Sequence, residues 1–176
     1  MSPNGDYLAL GSQSGTIVVY SVTECAEKWA TDVHTRKAIR SLKFSPKDGA
    51  WLVSASDDWS IRVWNAETGG LVALLEGHCG AVRSVVFSPD GHYIASTSDD
   101  TSLRIWDTEK YTELFCFRDE EHGVSAITFS PDGRYIATGC EDGFVRILEW
   151  HSDINVATEL RLLDTLSCGA SFAPNR

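Results

Sequence analysis

A short turn that recurs at nearly constant spacing limits the fold of this chain more than any other feature. Its prolines stand at positions 3, 46, 89, 131 and 174 of the 176 residues, so successive turns are 43, 43, 42 and 43 residues apart. Proline presets φ near −65°, aspartate or asparagine can bond to nearby backbone, and glycine accepts positive φ, so each copy should form a tight turn. A fixed period of this length predicts one supersecondary unit that is repeated along the chain.

Short β-prone segments lie between the turns. In residues 87–107, FSPDGHYIASTSDDTSLRIWD, the runs 93–97 and 103–106 are bounded by Ser, Asp, Gly or Pro, a pattern typical of strands. Segments 70–75, 82–87 and 113–117 supply further strands. The sequence therefore predicts an all-β fold of four-stranded antiparallel sheets in one domain over residues 1–176. The predicted repeat units are approximately 1–43, 44–86, 87–128 and 129–171, followed by a partial turn at 172–176.

Two residue pairs give the repeat a family signature. Gly77-His78 precedes the segment 82–87, and Trp106-Asp107 ends the run that begins at 103. With a period of about 40–45 residues, these pairs resemble the WD-repeat family of β-propellers. The resemblance implies a β-propeller with about four repeat units, each sheet forming one blade. Because this family usually has about seven or eight blades, we expect an incomplete ring that is a segment of a larger propeller. A closed four-bladed ring and an eight-bladed pair of chains remain alternatives.

The resemblance also implies that recurring polar residues fasten each blade by hydrogen bonds. This structural network comprises His34, Ser54, Asp58, Trp64, His78, Ser96, Asp100, Trp106, Thr138 and Asp142. A buried polar group without a partner costs about 1–3 kcal/mol, so such groups must bond to one another. The acidic pairs at 57–58, 99–100 and 141–142 and the histidines at 34, 78 and 122 repeat with the unit. They should therefore lie on successive blades, and we expect no catalytic residue, metal site or cofactor.

Binding residues are expected where the copies differ on an exposed face. In this family the loops around the central channel often contact peptides. Carrying those positions over gives a partner-binding set on the channel-mouth face, namely Arg40, Asp57, Trp59, Arg83, Asp99 and Glu141. Such a rim would suit a peptide with a basic side chain and a nearby carboxylate or phosphate. Trp59 stands where other copies have Thr101 and Gly143, so the repeat does not require an indole there. Ordinary solvated charges and a locally packed Trp59 are the alternatives.

The copies at the two ends depart from the pattern. The first has Tyr20 in place of the tryptophan and Ser14 in place of the fastening aspartate. The last has Leu148 in place of the tryptophan, with Trp150 two residues later. We expect both blades to lack the complete network. A basic residue also recurs in the third strand, and its side chain is expected to be solvated or to snorkel; the three are Arg62, Arg104 and Arg146.

Charge and cysteine content limit the classes of partner and compartment. Lys and Arg total 15 against 25 Asp and Glu, a net charge of −10, which argues against direct binding of nucleic acid. Five cysteines without a C-x-x-C pair favour a reducing compartment. The sequence has neither a leader pattern nor an apolar run of about 20 residues. We expect an intracellular protein of the cytoplasm or nucleus that does not contact a membrane.

These observations favour a noncatalytic protein–protein interaction scaffold. It would bind peptides or partner proteins through the channel-mouth face and the blade edges, and it would self-associate if the ring is incomplete. A sensing or regulatory segment of a larger multidomain protein is the alternative. A propeller-type hydrolase would require Cys140, Glu141 and His151 to meet, and no G-x-S-x-G elbow, phosphate loop or zinc-ligand spacing supports one.

Overall fold

The computed structural model describes residues 1–32, 34, 36–118 and 123–151 and the strand at 159–167. All regular elements in these residues are strands, which confirms the predicted all-β class. In the same part of the chain there is no helix of the length and apolar character that crossing a membrane would need.

The strands form four antiparallel sheets in chain order. The first contains β1 (Tyr7–Gly11), β2 (Thr16–Ser21) and β3 (Ala26–Asp32). The second contains β4 (Ile39–Phe44), β5 (Trp51–Ser56), β6 (Ile61–Asn65) and β7 (Leu71–Leu75). The third contains β8 (Val82–Phe87), β9 (Tyr93–Ser98), β10 (Ser102–Asp107) and β11 (Glu113–Arg118). The fourth contains β12 (Val124–Phe129), β13 (Tyr135–Cys140), β14 (Phe144–His151) and β15 (Glu159–Ser167). Each strand pairs with the next along the chain, as in a propeller blade.

The recurrent Pro-Asp-Gly turn joins the first and second strands of a sheet. Between β8 and β9, Gly91 has a φ of 76° and donates its N–H to the Ser88 carbonyl at 2.9 Å. The Asp90 carboxylate accepts hydrogen bonds from the Ser88 hydroxyl at 2.5 Å and the His92 N–H at 3.0 Å. Aspartate and glycine therefore each have the role that the motif predicts.

The hydrophobic core lies between consecutive sheets. The first strand of each sheet contacts the first strand of the next, β1 against β4, β4 against β8 and β8 against β12, so the blades follow one another in chain order. Three apolar clusters fill the three spaces between them, and Phe44, Phe87 and Phe129 each pack against one cluster. The phenylalanine before each of these three turns therefore packs between adjacent sheets. The four sheets do not close a ring within the part of the chain described.

A β-bulge distorts the first strand of three sheets near its start. The register shifts between Ile39 and Ser41, between Val82 and Ser84, and between Val124 and Ala126. The extra residues are Arg40, Arg83 and Ser125. A bulge turns the side chain of its extra residue out of the regular alternation of a strand. These three side chains therefore face a part of the surface that they would not reach in a strand without a bulge.

Candidate functional site

A chain of hydrogen bonds crosses the third sheet from the core to the surface turn. The Trp106 Nε1–H donates to Ser96 Oγ at 2.9 Å, and Ser96 Oγ lies 2.8 Å from His78 Nε2. On its other side, His78 Nδ1 lies 3.0 Å from Asp100 Oδ2. A neutral imidazole with its proton on Nδ1 satisfies every bond, because Ser96 then donates to Nε2 while accepting from Trp106. We therefore assign this tautomer.

The second sheet contains the same arrangement. Trp64 Nε1 donates to Ser54 Oγ at 3.0 Å, Ser54 Oγ lies 2.8 Å from His34 Nε2, and His34 Nδ1 lies 2.9 Å from Asp58 Oδ2. The structure thus brings together the two sets of four residues that the sequence placed in the network. Asp58 and Asp100 are held in the turn beside the histidine and are not free acid groups.

Burial and hydrogen bonding change the pKa values within this network. Burial lowers the pKa of His34 and of His78 below the usual value near 6.5, even though an aspartate faces each ring. Burial opposes ionisation of Asp58, but hydrogen bonds from the side chain and backbone of Ser60 and from His34 outweigh it and lower the pKa of Asp58 to about 2. Burial likewise opposes ionisation of Asp100, but hydrogen bonds from the Ser102 side chain, the Cys79 N–H and His78 outweigh it and lower the pKa of Asp100.

Two serines in each network were missed by the sequence interpretation. The Ser102 hydroxyl donates to Asp100 Oδ1 at 2.6 Å, and the Ser98 hydroxyl accepts the Asp100 N–H at 3.1 Å. Ser60 and Ser56 make the equivalent bonds to Asp58. The signal was present, because Ser recurs two residues before and two residues after the aspartate in both copies.

The recurrent arginines, expected to be solvated or to snorkel, instead pair with acidic side chains of the protein. Arg104 is buried and its guanidinium pairs with Glu113, while Arg62 donates to Asp58 at 2.9 Å and also contacts His34. Arg146 donates to Asp142 at 2.7 Å. Each of these aspartates precedes its arginine by four residues across the turn between the second and third strands. The arginine therefore belongs to the fastening of the blade.

The fourth sheet departs from the network as the sequence predicted. Leu148 occupies the place of the tryptophan and has no side-chain N–H to offer to Thr138, which is buried. The Trp150 side chain is also buried, and its Nε1–H has no hydrogen-bond partner among the described residues. Its ring instead packs edge-on against Tyr93 at a centroid distance of 5.4 Å. His122 lies outside the described residues.

A ladder of alternating charges crosses the channel-mouth face. At the bulge of the second sheet, Arg40 donates to both oxygens of Asp57, at 2.7 and 2.5 Å. At the bulge of the third, Arg83 donates to both oxygens of Asp99, and its Nη1 also lies 3.5 Å from Asp57 Oδ1. The hydrogen bond that Arg40 donates to Asp57 lowers the pKa of Asp57, and the hydrogen bond that Arg83 donates to Asp99 raises the pKa of Arg83. Two of the three acids that the sequence offered for partner binding, Asp57 and Asp99, are thus paired within the protein itself.

Backbone hydrogen bonds fix the acidic position of each sheet beside its bulge. The N–H groups of Asp57, Asp99 and Glu141 donate to the carbonyls of Ala38, Ala81 and Gly123, at 2.9, 3.0 and 3.0 Å. The ladder therefore occupies equivalent places on three successive sheets.

Glu141 ends the ladder without an arginine from its own sheet. Ser125 stands where Arg40 and Arg83 stand in the other sheets, and its hydroxyl donates to the Gly139 carbonyl at 3.0 Å. Glu141 is exposed, and within the described residues its carboxylate makes no hydrogen bond or ion pair. The carboxylate is near enough to Arg83 to contribute to the raised pKa of that guanidinium.

Trp59 lies in the adjacent turn in an unfavourable backbone conformation. Its φ is 74°, matching 66° at Thr101 and 80° at Gly143, and its side chain is 54% exposed. In all three turns this residue donates its N–H to the carbonyl three positions earlier, at 3.1–3.2 Å. The turn therefore requires the left-handed region, where glycine is free of strain and a bulky side chain costs about 1–2 kcal/mol. Trp59 is exposed, so the local-packing alternative has little support.

Comparison with known proteins identifies the repeat. The family profile described as "WD40: WD domain, G-beta repeat" matches residues 27–65, 69–107 and 112–149, more than half of the chain. The chain belongs to the WD40 family. Each WD40 match begins in or near the last strand of one sheet and ends at the third strand of the next, so it combines residues of two blades.

Several WD40 relatives have names that describe subunits of assemblies. The chain is 41% identical over 93 residues to the chromatin assembly factor 1 subunit FAS2 homolog of Oryza sativa subsp. japonica, covering 50% of this chain and 18% of the relative. It is 41% identical over 68 residues to the COMPASS component SWD1 of Saccharomyces cerevisiae, covering 36% and 16%. It is 40% identical over 50 residues to the pre-mRNA-splicing factor PRP46 of Eremothecium gossypii, covering 28% and 12%. The aligned region thus spans less than a fifth of each of these relatives.

The residues that a WD40-based hydrolase would need do not meet. Cys140 ends β13 and Glu141 follows it, whereas His151 ends β14 on the far side of the hairpin, where Tyr135 pairs with Glu149. Val145 pairs with Gly139, next to Cys140, and His151 lies six positions further along β14. At the usual rise of a strand, His151 is therefore roughly 20 Å from this end of the hairpin. Among the described residues no group of three or more His, Cys, Asp or Glu side chains is placed to hold a metal ion.

Proposed function

We propose that this chain is a noncatalytic protein–protein interaction scaffold that binds peptides or partner proteins through its channel-mouth face and blade edges. The WD40 repeats support this role, because the recurrent polar residues are used in fastening the blades. The residues of the channel-mouth face that differ from blade to blade are then available for recognition of a partner.

The observation that carries the proposal is the imbalance at the end of the charge ladder. Asp57 and Asp99 are neutralised by arginines of the bulges, whereas Glu141 has no arginine from its own sheet. Gly123 lies directly beside it, and a Cβ at this position would come within 3.3 Å of the Glu141 carboxylate. The absence of that side chain leaves room next to an exposed acid. A basic side chain of a peptide fits this place by charge.

Trp59 supplies a second contact on the same face. An exposed indole offers a large apolar area that loses little conformational entropy on binding, and tryptophan is enriched at the centres of interfaces. The fold does not require a strained residue at position 59, because Gly143 makes the same turn without strain. Strain that is retained at an exposed aromatic residue supports a role in binding.

The partners we propose are proteins or peptides. The relatives named above are described as a subunit of a chromatin assembly factor, a component of COMPASS and a splicing factor, and these names support membership of a protein complex in the nucleus or cytoplasm. A net charge of −10 supports binding to protein in preference to nucleic acid.

A panel of synthetic peptides tests the proposal. Twelve-residue peptides that contain Lys or Arg, their Gln-substituted counterparts and acidic peptides would be titrated against the chain by fluorescence anisotropy. We expect the basic peptides to bind and Glu141→Lys to weaken them at least ~10-fold. The control Glu109→Lys makes the same change of charge at an exposed residue. Glu109 lies in the turn after β10, whereas Asp99 of the charge ladder lies in the turn before it, so this variant should leave binding unchanged. Equal weakening by both variants, or equal binding of basic and acidic peptides, would contradict a site at Glu141.

A further inference from the structure

A small cavity lies between the Pro-Asp-Gly turns of the third and fourth sheets. Its volume is about 130 Å³, and a cavity of roughly 150 Å³ is large enough to bind benzene in a protein interior. These turns are at the opposite end of β9 from Asp99, so the cavity is separate from the channel-mouth face. The polar and aromatic residues of its wall include Asp90, Tyr93, Asp132, Arg134 and Trp150.

Trp150 belongs to this wall through a departure from the repeat. Its backbone N–H donates to the Arg134 carbonyl at 2.8 Å, the same bond that Ala66 and Thr108 make in the second and third sheets. The equivalent residues are thus alanine and threonine, so the blade does not require an indole at this place. In the fourth sheet the indole packs edge-on against Tyr93, on the side of the preceding sheet.

The wall contains two hydrogen-bond donors that are not used by the fold. The Trp150 side chain is only 4% exposed, and its Nε1–H has no partner among the described residues. Buried polar groups in native proteins almost always have a partner, so this N–H indicates an acceptor that the protein does not itself supply. The Arg134 guanidinium lies 5.8 Å from the centroid of the Tyr135 ring and forms no ion pair within the residues described.

The wall also contains two acceptor atoms that are not used by the fold. In both Asp90 and Asp132, Oδ1 accepts the two hydrogen bonds that form the turn, one from a serine hydroxyl and one from a backbone N–H. In the described part of the chain, Oδ2 of neither aspartate accepts a hydrogen bond. Each carboxylate therefore keeps one oxygen for a ligand.

Two donors and two acceptors in one cavity match an uncharged group that can both donate and accept. A primary carboxamide has two N–H donors and a carbonyl oxygen with two acceptor sites. A carboxylate would face two aspartates in the same cavity. An ammonium group would face Arg134 and would offer no acceptor to the Trp150 N–H.

We infer that this cavity binds a primary carboxamide, which is either the side chain of a glutamine or asparagine of a partner protein or a small free amide. The NH2 group of the ligand donates to Oδ2 of Asp90 and of Asp132. Its carbonyl oxygen accepts from the Trp150 Nε1–H and from the Arg134 guanidinium. Because Glu141 and Trp59 have no part in this site, the inference does not depend on the proposed function.

Titration with propionamide, followed by NMR of the chain with isotope-labelled tryptophan, tests the inference. Each of the six tryptophans gives its own indole N–H signal, and Trp150→Phe identifies the signal of Trp150. We expect this signal to move and to saturate at millimolar propionamide, because so small a ligand can bind only weakly. Propionate and propylammonium, which have the same carbon chain, should leave it in place. No saturating movement with propionamide, or an equal response to either ion, would overturn the inference.

Asp132→Asn tests the role of the carboxylate without loss of the turn. Asn4 stands at the equivalent place in the first sheet, and its Oδ1 accepts the same two types of hydrogen bond, so asparagine can form this turn. The variant replaces Oδ2 by an NH2 group that cannot accept, and we expect it to weaken propionamide binding at least ~10-fold. Asp48→Asn makes the same change in the turn of the second sheet, outside this cavity, and should leave binding unchanged. Unaltered binding by Asp132→Asn would contradict the inference.

Peptides distinguish the two sources of the carboxamide. A short peptide with one glutamine would be added to the chain saturated with propionamide, and its glutamate counterpart would serve as the control. Displacement of propionamide by the glutamine peptide alone assigns the site to a side chain of a partner protein. Displacement by neither peptide assigns it to a small free amide, whereas equal displacement by both would contradict recognition of the amide group.

Discussion

Arg83 Nη1 lies 3.5 Å from Asp57 Oδ1, so a guanidinium of the third sheet reaches a carboxylate of the second. The same guanidinium forms a two-point ion pair with Asp99 in its own sheet. Arg83 thus links neighbouring blades at the channel mouth. All three side chains are partly exposed, so water and salt screen these pairs, and their main effect is to fix the positions of charges on this face.

Arg83→Gln should therefore change stability only slightly. We expect the free energy of unfolding in urea to fall by less than about 1 kcal/mol, because exposed ion pairs contribute little. The difference should shrink further in 1 M salt, where the Debye length is about 3 Å. Lys110→Gln, an exposed cation outside the ladder, serves as the control. A loss above about 2 kcal/mol would mean that the ladder is a stabilising element and not a device for positioning charges.

Ser96→Ala should destabilise the protein much more. The substitution removes the partner of both the Trp106 N–H and His78 Nε2, two buried polar groups that cost about 1–3 kcal/mol each when unsatisfied. We expect a loss of about 2–5 kcal/mol in urea unfolding. Thr138→Val at the equivalent place in the fourth sheet should cost less than about 1 kcal/mol, because Leu148 has no side-chain N–H to leave unpaired. Equal losses at the two sites would argue against the hydrogen-bond chain as the source of stability.

The buried histidines predict a loss of stability on mild acidification. Because burial lowers the pKa of His34 and His78 below the unfolded value near 6.5, the unfolded chain binds more protons than the folded one below this pH. The free energy of unfolding should therefore fall as the pH drops from 7.5 through 6.5 toward 5. A second loss should follow below about pH 4, where Asp58, with a folded pKa of about 2 against 3.8, must be protonated as the chain unfolds.

Urea unfolding at pH 7.5, 6.0 and 5.0 measures the first of these losses. His78→Asn should flatten the dependence of the unfolding free energy on pH in this range, whereas His92→Asn, at an exposed residue of the turn, should leave it unchanged. A profile that stays flat in the unaltered protein from pH 7.5 to 5 would contradict neutral, buried histidines.

The sequence predicted the sheets well because turn spacing and strand patterns are local properties. The segment 82–87 matches β8, and the runs containing Tyr93 and Trp106 match β9 and β10 to within one or two residues. The roles of Arg62 and Arg104 could not be predicted. The sequence pattern of a strand is the same whether its arginine is solvated or folds back onto a carboxylate. The pairing of Arg83 with acids of two sheets depends on a bulge and on how blades are arranged, and neither property is visible in the spacing of one repeat.

Trp59→Gly tests the central claim that the channel-mouth face is a binding surface. The change removes backbone strain, so the melting temperature should rise, by an amount corresponding to about 1 kcal/mol, while the affinity for the basic peptides that bind the unaltered chain falls at least ~10-fold. Thr101→Gly, which makes the same change at the equivalent turn of the next blade, should stabilise the protein and leave binding unchanged. If Trp59→Gly stabilises the protein and binding is unaffected, the indole has no part in recognition and the account of this face is wrong.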